Sequence, residues 1–113
     1  MRKRNAFAHP SEAVCARILD FYRIRWEYEP TSFPIEWDAK GVIVSSFAPD
    51  FYLPDQGLYI ELTTMSQKLV TKKNRKVRRL RELYPHVNIK IFYQRDLKNL
   101  LSKYGFRPEE AMS

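Results

Sequence analysis

The chain has 113 residues, 20 Lys+Arg against 13 Asp+Glu, 44% hydrophobic and 14% aromatic content, seven Pro and three Gly. That is enough polymer for one compact unit, in which two cores would be hard to fit, and it is the composition of neither a fibre nor a disordered tail. A lone Cys15 excludes an internal disulfide, no Cys/His spacing suits structural zinc, and neither a leader-like apolar run nor 18 successive apolar residues occur, so the expectation is a cytoplasmic protein with no membrane partner.

Pro10-Ser11-Glu12 opens a helix, with proline in the first turn and acid where the helix dipole favours it. Val14, Cys15, Ile18, Leu19 and Tyr22 then recur at helical spacing to about Ile24. Trp26 to Glu29 alternates aromatic with acidic residues as a short strand stopped by Pro30. Phe33 to Trp37 reads either as a loop or as an edge segment, because Pro34 cannot serve a central ladder. From Val42 a β-rich run passes through Ala48-Pro49 to Leu53, and Pro54-Asp55-Gln56-Gly57 turns it back into Leu58–Thr63 as an antiparallel hairpin. A helix follows from about Ser66 to Tyr84, closed by Pro85. Val87 to Tyr93 returns as a strand parallel to the one holding Glu61, and Asp96 can cap a short last helix, Leu97 to Tyr104. The expected architecture is a mixed β-sheet flanked by helices, an αβββαβ core plus a short C-terminal helix.

The positive charge is local. Lys68, Lys72, Lys73, Arg75, Lys76, Arg78, Arg79 and Arg81 fall in one helix with no acid among them, while the rest of the chain holds twelve basic and thirteen acidic side chains. Like charges this close repel, and phosphates are the commonest compensation, so the expected partner is nucleic acid contacted through Lys68, Lys72, Arg75, Lys76, Arg78 and Arg79. A solvated basic helix face is the plain alternative.

Three acids stand where structure alone does not ask for them. Glu12 shares the apolar face of the first helix, and Asp50 interrupts an apolar-aromatic strand. Glu61 alternates with Tyr59 and Thr63 against Leu58, Ile60 and Leu62, so with helices on both faces its carboxylate is buried and requires a cation. At 100° per residue Val70, Val77, Leu80 and Tyr84 span an arc of about 80°, with Lys73 near its centre, which aims Lys73 at the sheet. Carboxylates converging beside a lysine under a basic helix make an oxygen-donor site suited to Mg2+ or Mn2+ rather than zinc, next to a track for phosphates.

Pro49-Asp50, ten intervening residues, then Glu61-Leu62-Thr63, preceded by the helical Glu12, resembles the signature of the PD-(D/E)XK nuclease superfamily, the restriction-endonuclease-like fold. The resemblance covers about Pro10 to Tyr93 and implies one nuclease domain over residues 1–113. It implies Asp50 and Glu61 as metal ligands, Glu12 as accessory ligand, and a metal-dependent DNA endonuclease with little sequence specificity that can pair as a homodimer. Thr63 stands where the family's lysine is expected. In some branches that lysine migrates to the following helix, so Lys73 is the expected catalytic lysine, with Lys68 as runner-up. If neither reaches Glu61, the chain is a non-catalytic nucleic-acid-binding relative of the fold, and a buried ion-pair network in an interaction module is the third reading.

Overall fold

The protein is seen in a computed structural model that describes Phe7, residues 10–63, residues 67–93 and Asp96, with side chains of 67–70 excepted. The element order is α1 (Pro10–Phe21), β1 (Glu27–Tyr28), β2 (Phe33–Trp37), β3 (Ile43–Phe47), β4 (Phe51–Leu53), β5 (Leu58–Thr63), α2 (Gln67–Leu83) and β6 (Ile89–Tyr93). The main sheet runs β1-β4-β5-β6, antiparallel from β1 to β5 and parallel between β5 and β6. The α2 crossover supplies that parallel step, since a parallel neighbour needs a long connection. Without β2 and β3 the order is the expected αβββαβ, in a mixed α/β fold. The expected last helix, Leu97 to Tyr104, lies outside the described residues, though Asp96 accepts the Tyr93 N–H at 2.8 Å. No helix among the described residues is long and apolar enough to cross a membrane.

One open reading is decided, for the edge segment over the loop, and one expectation needs correction. Phe33–Trp37 is a strand, paired with β3 in a separate two-stranded sheet. Its turn is built by Asp38, whose carboxylate accepts the N–H groups of Lys40 and Val42, and by Gly41 at φ +82°. The run from Val42 to Leu53 is not one strand, because it leaves one sheet at Phe47 and joins the other at Phe51. The cause is local: buried Pro49 has no N–H to give a ladder, and the Asp50 N–H goes to a side chain instead.

Although two cores were expected to be hard to fit, the single unit holds two hydrophobic clusters, one on each face of the main sheet. On one face α1 packs Val14, Cys15, Ile18 and Leu19 over Trp26, Phe51, Leu53, Ile60 and Leu62. On the other α2 brings Val77 and Leu80 against Ile89 and against Ile35 and Phe47 of the β2–β3 hairpin. Helix α1 stops with Arg23 at φ 58°, where Arg23 N–H bonds the Asp20 carbonyl and Ile24 N–H the Leu19 carbonyl, a left-handed cap filled here by a non-glycine residue. Leu80 is 0% exposed and joins sheet, hairpin and helix. Leu80→Ala should therefore cost about 2–5 kcal/mol by urea denaturation. Val44→Ala, on the exposed side of the hairpin, should stay within about 0.5 kcal/mol.

Candidate active site

Pairing of Phe51 with Ile60 sets Asp50 opposite Glu61 one step further along the antiparallel ladder. There the main-chain ladder is replaced by side chains. Glu61 Oε1 accepts the Asp50 N–H at 3.1 Å, and Asp50 Oδ2 accepts the Leu62 N–H at 2.8 Å. The two carboxylates thus brace the same pair of strands, and both are buried, Glu61 to 3% exposure and Asp50 to 6%. The ten-residue spacing between them is the length of a tight hairpin, β4, a turn with Gly57 at φ 61°, and β5.

The cation required by Glu61 is Lys73. From α2 its Nζ lies 3.0 Å from Glu61 Oε2 and also donates to the Leu62 carbonyl. The helical stripe that aims Lys73 at the sheet is therefore realised. Lys68 belongs to α2, but its side chain lies outside the described residues. Thr63 sits on the same strand face as Glu61, where the motif lysine is expected, and its buried hydroxyl has no partner among the described residues. Glu12 is buried in the first turn of α1, and its Oε1 accepts the Tyr28 hydroxyl proton at 2.7 Å. Its charge is felt at both Asp50 and Cys15.

Burial dominates the electrostatics. Burial, then the neighbouring Glu61 charge, push the Asp50 carboxyl up to about 8, against the hydrogen bond from Leu62. Burial likewise raises Glu61, and Lys73 opposes it. Burial, then the Asp50 and Glu12 charges, push the Cys15 thiol up to about 12, so it is a packed thiol and not a nucleophile. One ammonium faces two buried carboxyls with a third acid nearby, and Asp50, pushed up to about 8, is largely protonated at neutral pH unless a further cation approaches.

Among the described residues no three His, Cys, Asp or Glu side chains form a ready ligand group. The donors at hand are the Asp50 and Glu61 carboxylates and the Leu62 carbonyl, which Lys73 already engages, beside the leftover Thr63 hydroxyl. These are all hard oxygen donors, the kind taken by a divalent cation that keeps part of its water, as Mg2+ and Mn2+ do. Glu12 stands behind this set, tied to Tyr28.

The basic residues divide as their helix positions require. Lys72, Arg75, Arg78 and Arg79 are exposed and Lys76 is half-buried. Arg79 is partly committed inward, its Nε donating to the Ile35 carbonyl at 3.2 Å and its Nη1 lying 3.7 Å from Glu82. Sequence reasoning missed three participants: the Leu62 carbonyl, the Tyr28 hydroxyl, and a concavity of about 460 Å³ bordered by Ile35, Glu36, Trp37, Arg75, Lys76 and Arg79. The first two have no local pattern, and for the third the turn residues Asp38 and Gly41 could have marked the hairpin that forms one wall.

No family model, curated protein or solved structure matches this chain.

The raised carboxyl sets a pH dependence. An Asp that titrates near 3.8 when unfolded and near 8 when folded leaves the folded state binding more protons between those values. Its contribution to stability is complete below about pH 4 and is lost as pH rises through about 8. In chelator, the urea midpoint of the wild type should fall from pH 5 to pH 8 more than that of Asp50→Asn. Parallel changes in the two proteins would contradict the assigned burial of this carboxylate.

Proposed function

We propose that the protein is a Mg2+- or Mn2+-dependent nuclease of the PD-(D/E)XK type, hydrolysing phosphodiester bonds of DNA with little sequence preference. The observation that carries the reading is the meeting of Asp50, Glu61 and Lys73 at one buried point, which restores from α2 the lysine that Thr63 denies to β5. A bound divalent ion supplies Lewis-acid polarisation of the phosphodiester and a lowered pKa for water.

The residues of the chain do the rest. Asp50 and Glu61, whose carboxylates are oriented by their bonds to the Leu62 and Asp50 N–H groups, would hold the ion, and Glu12, bonded by Tyr28, would be the accessory acid. Lys73 opposes the rise that burial imposes on Glu61 and offers an ammonium for the negative charge that develops on the phosphoryl group. Lys68, Lys72, Arg75, Lys76, Arg78 and Arg79 take backbone phosphates, contacts that position a strand without reading its bases. Pairing as a homodimer would extend the short track that one small domain offers.

A second reading is favoured by one feature. Lys73 already engages both Glu61 Oε2 and the Leu62 carbonyl, so an ammonium satisfies oxygens that an ion would use. On that reading the chain binds nucleic acid without cutting it.

Plasmid nicking in Mn2+ separates the two. Asp50→Asn and Glu61→Gln should each lower the rate about 10²–10³-fold, the loss typical of one preorganised charged group. Arg25→Ala, at an exposed ion pair with Asp55, should nick like wild type. Calorimetric titration with Mn2+ should give binding that Asp50→Asn abolishes. Equal nicking by wild type and Glu61→Gln would place the activity elsewhere, and salt-sensitive DNA binding without nicking would select the second reading.

A further inference from the structure

We propose that the concavity between β2 and α2 is a subsite for one unpaired nucleotide, its base stacked on Trp37 and its phosphate held by Arg75 and Lys76. The inference rests on nucleic acid being the ligand of α2 and names the form of it that this surface takes.

The two walls of the concavity differ in chemistry. The α2 wall offers Arg75, Lys76 and Arg79, whereas the β2 wall offers Trp37 and Glu36 over Ile35. A nucleotide has the same two-sided character, an anionic phosphate at one end and a flat ring edged with N–H groups at the other. Glu36 turns phosphate away from the β2 wall and can accept from a base edge, so the walls also set the ligand's direction. Trp37 is 42% exposed and belongs to neither core cluster. A duplex keeps its base faces stacked on one another, so an exposed indole face gains contact only from a base that is already free.

The concavity is built into the fold and is not an accident of loose side chains. Strand β2 shifts register between Pro34 and Glu36 and again between Glu36 and Trp37, so three successive residues border one hollow, which a regular two-residue alternation does not allow. The strand is laced to α2 by the Arg79 Nε bond to the Ile35 carbonyl and by the Tyr84 hydroxyl donating to the Pro34 carbonyl at 2.9 Å. Beneath it Ile35 joins the core with Val77 and Leu80. Its volume, about 460 Å³, is within the range of roughly 300–1,000 Å³ that clefts use to hold one small organic group. Lys76 follows Lys73 by one turn of α2, about 4.5 Å of rise, so a phosphate on Lys76 lies beside the acid site.

The test is fluorescence anisotropy in chelator, which stops cleavage, using labelled oligo-dT, oligo-U and a hairpin duplex of equal length. Wild type should prefer the single strands. Trp37→Ala should weaken them about five- to a hundredfold while changing duplex affinity less than about twofold, and Trp37→Phe should restore most of the loss. Arg75→Gln with Lys76→Gln should flatten the salt dependence for single strands by about 0.7 for each phosphate left without its cation. Binding of either single strand supports the subsite, and the tighter of the two names its source. Single-strand affinity indifferent to Trp37, equal weakening on strand and duplex, or displacement by polyglutamate as readily as by oligonucleotide would overturn it. So would a Trp37→Ala effect on oligomeric state alone, which would make the surface a contact between copies. These outcomes are separable from the nuclease reading: Trp37-dependent binding without metal-dependent nicking removes the enzyme and keeps the subsite, and nicking indifferent to Trp37 does the reverse.

Discussion

Two carboxylates and one ammonium share the buried end of the β4–β5 hairpin, and most of the architecture can be understood as the means of holding them there. A carboxylate as deep as Glu61 is costly without a partner, and removing one member of such a pair typically costs about 3–5 kcal/mol. Lys73 meets that need only because α2 docks with Val77 and Leu80 inward, which rotates position 73 onto β5. Asp50 adds a second acid beside a single ammonium, and burial first, then the Glu61 charge, push its carboxyl up to about 8. Folding alone does not ask for such a site, since apolar residues of similar size would pack at lower cost, and sites that keep unbalanced buried charge are commonly functional.

The same helix serves both the acids and the outer surface. One stripe of α2 closes the second core, Lys73 at its centre enters the sheet, and Lys72, Arg75 and Arg78 remain exposed to solvent. The β2–β3 hairpin, though outside the αβββαβ core, gives that helix a second wall through Ile35 and Phe47, and the hollow bordered by Trp37 is the consequence. The buried acids and the exposed basic face of α2 are therefore joined through one element.

What was legible in the sequence was whatever depends on a single element's period. Alternation in Leu58–Thr63 placed Glu61 on the α2 face, and helical spacing around Val77 and Leu80 placed Lys73 opposite it. The β4–β5 and β5–β6 pairings followed from the turn at Pro54–Gly57 and from the long crossover, whereas the place of β1 beside β4 did not. What was not legible depends on how segments meet. Phe33–Trp37 is a strand with two register shifts and a proline, so it does not alternate, and its partner was hidden inside a run that looks continuous through Pro49. The Tyr28 bond to Glu12 and the Leu62 carbonyl's place beside Lys73 join residues 11 or more apart and have no local pattern at all.

The central claim is that Asp50 and Glu61 form one divalent-cation site with Lys73 beside it. Anomalous diffraction from crystals soaked in Mn2+ tests it most directly. The expected result is a single strong peak within coordination distance of carboxylate oxygens from both acids, about 2.0–2.3 Å, with the Lys73 ammonium still facing Glu61. A structure with no peak there at saturating Mn2+, or with the ion bound by surface groups while Lys73 alone occupies the Glu61 and Leu62 oxygens, would contradict it.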